Sequence, residues 1–246
     1  MQFLQPDWPA PAHIKAYTTL RSSWGGRKSQ QEWGELVSLL HLPAEPIWLN
    51  QTHSTIVIEA SLQNKDKTAD ASYATQPNQV CVIDTADCLP ILICNQQGTT
   101  VAAIHAGWRG LANGIIETTV QTLACAPTDL LVWLGPAIGP QKFEVGRDVY
   151  DAFTAHDPEA QLAFTPYNEE KWLANLYELA RMRFKRQQVA ATQIYGGQFC
   201  TYTQADWFFS YRRDHGKTGR MASVIWIGAE NPSPAATQRP LPQGER

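Results

Sequence analysis

Three residues of types that bind transition metals stand at the ends of short apolar segments: His53, Cys88 and His105. Two imidazoles and one thiolate suit Zn²⁺, and three protein ligands leave a fourth position for water or substrate, which is the catalytic pattern. Zinc at such a site would deprotonate Cys88 and lower the pKa of a bound water. The wide sequence intervals are unlike those of a compact zinc finger, so spacing alone leaves open that each residue is structural.

The same residues allow two other chemistries. Cys88 and His105 could form a nucleophile and base, with Asp87 or Asp84 orienting the imidazole. Two histidines and one cysteine are also the ligand set of a blue-copper centre. A multicopper cluster needs more imidazoles than the six histidines of this chain provide. Zinc, single-copper and thiol chemistry therefore all remain open at this point.

A second cluster, residues 208–221, combines arginines with a glycine turn before an apolar run. Arg212, Arg213 and Arg220 are candidates for binding phosphate or carboxylate, because guanidinium groups match planar oxyanions. A salt-bridged surface turn explains the same arginines equally well. Arg109 is a further anion candidate, since it lies in a turn that opens a predicted helix.

Buried strands and intervening helices must position these side chains. Apolar runs predict strands at residues 47–49, 80–83, 89–94, 101–104, 130–134, 194–195 and 223–227. Helical spacing predicts helices at residues 31–40, 111–123, 145–155 and 169–187. The strands and helices mix without strict βαβ alternation, which favours a layered α/β or α+β domain over a doubly wound sheet.

Composition limits the class of protein. The 246 residues are 43% hydrophobic and 17% charged, which is typical of a globular chain, and the net charge of −3 argues against a nucleic-acid-binding protein. No apolar run could span a membrane, the first residues lack a signal-peptide pattern, and five cysteines do not form a disulfide framework. We therefore expect a cytoplasmic protein with one domain over residues 1–228 and a proline-rich, disordered tail over residues 229–246.

Five stretches of the chain carry motifs that occur together in one known family. They are Gln51-Thr52-His53, Thr85-Ala86-Asp87-Cys88-Leu89-Pro90, His105-Ala106-Gly107-Trp108-Arg109-Gly110, Leu134-Gly135-Pro136-Ala137-Ile138-Gly139-Pro140 with Phe143-Glu144-Val145, and residues 208–221. In this order they resemble the bacterial laccase-domain or polyphenol oxidase-like family. That family is associated with purine nucleoside phosphorylase activity and, in enterobacteria, with peptidoglycan editing.

The resemblance implies a mixed α/β fold, built as a single layered α/β/α domain with mixed sheets. It implies a zinc ion bound by His53, Cys88 and His105, with copper as the alternative metal. The implied activities are phosphorolysis of adenosine, inosine and methylthioadenosine, and deamination of adenosine. The alternatives are a hydrolase that edits peptidoglycan precursors, either metal-dependent or with Cys88 as nucleophile, and a copper polyphenol oxidase.

Further site residues follow on this interpretation. The predicted catalytic residues are Cys88, Asp87, Asp70 and Arg109, with Asp70 and Asp87 as candidates to carry a proton or to orient a ligand imidazole. The residues predicted to bind nucleoside or phosphate are Arg21, Asn50, Arg212, Arg213 and Arg220. The expected partners are a small nucleoside and phosphate, without nucleic acid or membrane, and the expected state is a monomer or weak homo-oligomer. The segment after Arg21 is shorter than the one the family usually carries.

Overall fold

The structure is a computed structural model that describes residues 3–26 and 30–229, so the predicted tail beyond Ala229 lies outside the described residues. The strands are β1 (Phe3–Leu4), β2 (Ile14–Thr19), β3 (Val57–Glu59), β4 (Ala71–Ala74), β5 (Cys81–Thr85), β6 (Leu89–Asn95), β7 (Val101–Ala106), β8 (Leu130–Leu134), β9 (Glu144–Val145), β10 (Phe164–Asn168), β11 (Lys171–Ala174), β12 (Ile194–Gly196) and β13 (Met221–Ile227). The α-helices are α1 (Gln30–Leu40), α2 (Trp108–Asn113), α3 (Ile115–Leu123), α4 (Arg147–Thr154) and α5 (Leu176–Arg186). Among these described residues, no helix combines the length and apolarity needed to cross a bilayer.

The described strands form three sheets. A four-stranded antiparallel sheet has the order β1-β2-β13-β5. A six-stranded sheet has the order β12-β8-β6-β7-β4-β3 and is mixed, because β12 runs parallel to β8 and β3 runs parallel to β4. A small antiparallel sheet has the order β10-β11-β9. This combination confirms the predicted mixed α/β fold.

The six-stranded sheet is buried on both faces, by helices on one side and by the four-stranded sheet on the other, so two sheets stack at the centre of the fold. On β6, Ile91 and Ile93 face the helices, whereas Leu92 and Cys94 face the four-stranded sheet. Side chains alternate across a strand, so burial on both faces requires the continuous apolar run seen in the sequence. The outer face of the four-stranded sheet packs against α1, which gives the layer order helix, sheet, sheet and helices.

The helix predicted over residues 169–187 is wrong in its first half. Trp172 and Leu173 fit helical spacing, but they lie on β11 and pair with β9. The helix begins only after Asn175, whose side chain accepts a hydrogen bond from the Glu178 amide. At Trp172 and Leu173, pairing with β9 therefore overrides the local helical pattern.

The predicted helix over residues 111–123 is divided into α2 and α3 at Gly114, where φ is +99°.

Candidate metal centre and substrate cavity

The three predicted metal ligands converge at the end of the paired strands β6 and β7. Cys88 directly precedes β6, and His105 lies on β7 opposite Pro90. His53 comes from the loop that leads to β3. The nitrogen and sulfur atoms that these three side chains offer all lie within 4.8 Å of one another. The fold thus brings together residues that are far apart in the sequence.

The buried carboxylate of Asp70 orients both histidines. Its Oδ1 lies 2.7 Å from His105 Nδ1, which leaves Nε2 as the free donor atom. The same carboxylate accepts hydrogen bonds from the backbone amides of His53, at 2.9 Å, and Ser54, at 2.6 Å. Burial raises the pKa of Asp70, but hydrogen bonds from His105 and Ser54 outweigh it and lower the pKa to about 2. Asp70 is therefore an ionised clamp on the His105 imidazole and on the backbone that carries His53.

The donor set fits a tetrahedral divalent metal. Cys88 Sγ lies 3.6 Å from His53 Nε2, and zinc bonds of about 2.0 to 2.3 Å would place neighbouring ligand atoms about 3.3 to 3.7 Å apart. Burial opposes charge on both Cys88 and His105, but their mutual attraction outweighs it. The pKa of Cys88 is lowered to about 6 and that of His105 is raised to about 9. The direction of the Cys88 shift favours the thiolate, which is the form of cysteine that binds zinc.

Gly107 makes room for this convergence. A Cβ atom at this position would lie 2.3 Å from His53 Cδ2, 2.8 Å from His53 Nε2 and 3.2 Å from Cys88 Sγ. The backbone of Gly107 has φ −62° and ψ 154°, which any residue can adopt. The need for glycine here is consequently steric rather than conformational.

The triad opens into a cavity of about 580 Å³, a volume typical of small-molecule sites. Three arginines line it, and each lies over an aromatic ring of the same cavity. The guanidinium carbon of Arg109 is 4.4 Å from the centre of the Trp108 ring. The corresponding distances are 5.6 Å for Arg212 over Phe143 and 5.9 Å for Arg220 over Tyr211. The cavity therefore combines a cationic rim with flat apolar walls.

The structure separates the predicted anion-binding residues into two groups. Asn50, Arg109, Arg212 and Arg220 line the cavity beside the triad. Arg21 lies in a neighbouring depression with Phe209 and Lys217, and its Nη1 donates to the carbonyl of Ala205. The guanidinium of Arg213 donates hydrogen bonds to the Asp214 carboxylate and to the backbone carbonyls of Thr201 and Phe208. Arg21 and Arg213 are not brought to the triad.

Of the carboxylates predicted to orient an imidazole, which were Asp70, Asp84 and Asp87, it is Asp70 that contacts His105. Asp87 lines the cavity, but its carboxylate accepts hydrogen bonds from Thr201 Oγ1, Ser210 Oγ and the Arg212 amide instead. Asp70 directly precedes β4, which pairs with β7, and this register places it beside His105.

Several cavity residues were missed because their sequence contexts look like those of core residues. Trp108, Phe143 and Tyr211 supply the aromatic walls, although tryptophan and phenylalanine are usually explained by packing. Gln51 also lines the cavity, with its amide bonded at both ends to the backbone of Asp84. A usable signal existed for two of them, since Trp108 and Tyr211 are sequence neighbours of predicted arginines.

Fold and site together define a mixed α/β protein with a His₂Cys candidate metal centre in a cationic, aromatic cavity. The family described as multi-copper polyphenol oxidoreductase laccase matches residues 27–228, and the chain belongs to that family. This confirms the resemblance that the sequence motifs indicated.

Similar proteins share this fold over nearly their full length. A Haemophilus influenzae protein named purine nucleoside phosphorylase is 46% identical over 246 residues, covering 92% of this chain and 100% of the relative. The Escherichia coli protein named purine nucleoside phosphorylase YfiH is 43% identical over 244 residues, covering 92% and 99%. A crystal structure of a Neisseria meningitidis DUF152 protein gives a TM-score of 0.86 at 42% identity, covering 93% of this chain and 100% of that chain.

Proposed function

We propose that this protein is a zinc-dependent purine nucleoside phosphorylase. Its proposed substrates are adenosine, inosine and methylthioadenosine, each with phosphate. The observation that carries the proposal is the opening of the His₂Cys triad into the same cavity as three arginines and three aromatic rings. The name that the curated relatives bear supports the reaction class.

The cationic rim suits the phosphate co-substrate. In phosphorolysis a phosphate oxygen forms a bond to C1′ of the pentose, the glycosidic C–N bond breaks, and the base departs with the electron pair. Arg212 and Arg220 hold positive charge at the rim, where an oxyanion would be bound and its charge redistributed. Because both guanidinium groups already lie over aromatic rings, they lose little freedom when they bind the anion.

The aromatic walls suit the nucleoside. Phe143 and Tyr211 present flat apolar surfaces on which a purine ring can stack, and Asn50 offers a side-chain amide at the same cavity. Arg109 also lines the cavity, with its guanidinium over the ring of Trp108. These groups would orient the nucleoside with its C1′ atom towards the rim arginines, which is the positioning that a displacement at carbon requires.

His53, Cys88 and His105 would hold the metal, and zinc bound there would act as a Lewis acid toward an oxygen atom of the substrate or of water. Zinc fits these residues better than blue copper does. A blue-copper site adds a weak axial ligand, commonly methionine. The described residues that line the cavity include no methionine, and the amide of Gln51 is already bonded to Asp84.

The same cavity would also deaminate adenosine, with water replacing the amino group that leaves as ammonia.

A second candidate function rests on a different observation. Cys88, His105 and Asp70 are arranged as a thiol, an imidazole and a carboxylate, the constellation of a cysteine hydrolase. Such an enzyme could edit a peptidoglycan precursor, and its activity would survive removal of metal.

The test measures turnover of adenosine with and without phosphate, with products separated by chromatography. Wild-type protein loaded with zinc should release adenine only when phosphate is present and form inosine without it. Both activities should be lost in Cys88→Ser. Chelation should also remove them from the wild-type protein, and added zinc should restore them there. Cys125→Ser is the matched control, because this partly buried thiol lies outside the cavity.

Two results would contradict the proposal. Zinc-loaded wild type that releases no base from any of the three nucleosides would refute phosphorolysis. Hydrolase activity that resists chelation but is abolished by iodoacetamide would favour the thiol mechanism at Cys88.

A further inference from the structure

Residues 201–213 form an arm that brings one wall of the cavity to the triad. Tyr211 and Arg212 lie near its end, and both line the cavity. The arm consists of turns and contributes no strand to the three sheets. Backbone hydrogen bonds hold the arm at Thr201, whose amide donates to the Ala137 carbonyl, and at Trp207, whose carbonyl accepts from the Arg21 amide. Beyond these two points, the end of the arm that carries Tyr211 and Arg212 depends on side-chain contacts for its position.

Asp87 fastens the end of this arm through its side chain. Its carboxylate accepts hydrogen bonds from Thr201 Oγ1 at 2.6 Å, Ser210 Oγ at 3.0 Å and the backbone amide of Arg212 at 2.7 Å. Thr201 and Ser210 are fully buried, and Asp87 is 8% exposed. All three partners are donors, and the two oxygens of a carboxylate offer enough acceptor sites for them together.

The same residue is fixed at the metal site. Asp87 immediately precedes Cys88, and its carbonyl accepts a hydrogen bond from the Ile138 amide at 3.0 Å. Its φ of +89° is unusual for a residue with a side chain, and such conformations persist where surrounding contacts impose them. One residue thus links the backbone that carries a metal ligand to the arm that carries Arg212.

The internal shape of the arm has a separate support. Arg213 Nη1 donates to the Thr201 carbonyl at 2.8 Å and Nη2 donates to the Phe208 carbonyl at 2.9 Å. Arg213 is also bonded to Asp214. Arg213 therefore ties the two ends of the arm to each other, whereas Asp87 ties the arm to the triad. Loss of Asp87 should displace the arm while leaving its fold in place.

We propose that Asp87 is a positioning residue that sets the place of Arg212 and Tyr211 relative to the metal ligands and thereby controls phosphate binding. Asp87 acts through the arm and not by transferring a proton to substrate. The kinetic part of this inference rests on the proposed phosphorolysis. The structural part, which is the attachment of the arm, does not.

The test uses Asp87→Asn, which keeps the size of the side chain but replaces an acceptor oxygen by a donor. The Arg212 amide cannot become an acceptor, so the new NH₂ group must face a hydroxyl, and at least one of the three hydrogen bonds is lost or reversed in direction. The KM for inorganic phosphate should rise about tenfold or more, since displacements near 1 Å have effects of this order, and kcat should fall less. Bound zinc should stay at the wild-type amount, and amide hydrogen exchange should accelerate in residues 201–213.

Asp157→Asn is the matched control. Asp157 is a buried carboxylate outside the cavity that accepts the Glu159 amide and pairs with Arg186. This variant should lower the unfolding temperature without changing the KM for phosphate. Ser210→Ala removes one of the three bonds to Asp87 and should give a smaller change in the same direction as Asp87→Asn.

The outcomes separate this inference from the proposed function. If wild-type protein shows no phosphorolysis, the exchange rates of residues 201–213 still test the attachment. Unchanged exchange in Asp87→Asn would overturn the inference, and so would a KM for phosphate that changes no more than it does in Asp157→Asn. Loss of zinc from Asp87→Asn would show instead that the residue acts on Cys88.

Discussion

The substitution Gly107→Ala tests the geometry of the metal centre with one added methyl group. The new Cβ would lie 2.3 Å from His53 Cδ2, more than 1 Å inside a contact distance of about 3.5 Å. Alanine is compatible with the backbone of Gly107, so the strain falls on the His53 ring, which must move by about 1 Å. Displaced ligands of this kind cost about 10- to 100-fold in metal affinity, which is about 1.4 to 2.8 kcal/mol of binding free energy.

The assay is competition for zinc between the protein and a chromogenic chelator, with thermal unfolding followed by circular dichroism. Gly34→Ala is the matched control, because Gly34 lies on α1 with nothing within 4 Å of the added atom. It should leave zinc affinity unchanged and stabilise the helix by about 0.5 to 1 kcal/mol. A Gly107→Ala protein that binds zinc as tightly as wild type would refute the assignment of His53 and Cys88 as joint ligands.

Two further predictions concern the buried and the surface carboxylates. Asp70→Asn should weaken zinc binding about 10- to 100-fold, because the amide no longer accepts every donor from His105 and Ser54; unchanged affinity in the chelator competition would count against the clamp. Asp214→Asn tests stability against pH. Hydrogen bonding to Arg213 lowers the pKa of Asp214 from 3.8 to about 2, so its stabilisation is present above pH 4 and lost as the pH falls towards 2. The free energy of unfolding of the variant should be about 1 kcal/mol lower than that of wild type at pH 7, after allowance for solvent screening, and should equal that of wild type near pH 2. If thermal unfolding gave the same difference at both pH values, the charge of Asp214 would not be its cause.

Buried strands were the part of the fold that the sequence predicted best. The run at Leu130–Leu134 matches β8 at both ends, and the runs within β6 and β7 match closely. A strand that is buried on both faces needs a continuous run of apolar residues, and such a run can be recognised within a few neighbouring residues. Strands of the small sheet were missed because β10 is mostly exposed and β9 has two residues. Their existence depends on pairing partners distant in the chain.

The candidate site shows the same difference between features that are local in sequence and features that depend on distant contacts. Residue type suggested the metal triad, but its wide spacing left a structural role open, and only the family resemblance assigned His53, Cys88 and His105 as ligands. The orienting carboxylate could not be singled out, because Asp70, Asp84 and Asp87 look equivalent in sequence and differ only in register and backbone direction. The arginines show the same limit: Arg212 and Arg213 are adjacent, yet one lines the cavity and the other binds Asp214.

The position of the triad follows from how the two central sheets are joined. β5 belongs to the four-stranded sheet and β6 to the six-stranded sheet, so residues 86–88 cross from one sheet to the other. Cys88 stands at the end of this crossing, His105 on the neighbouring strand β7, and His53 on a separate loop. A metal bound by all three would fasten the crossing to two other segments. Because metal that binds only the folded state adds its binding free energy to stability, zinc should raise the unfolding temperature through this junction. The cavity beside the triad and the junction of the sheets are therefore one structural feature, which is why its residues come from so many parts of the chain.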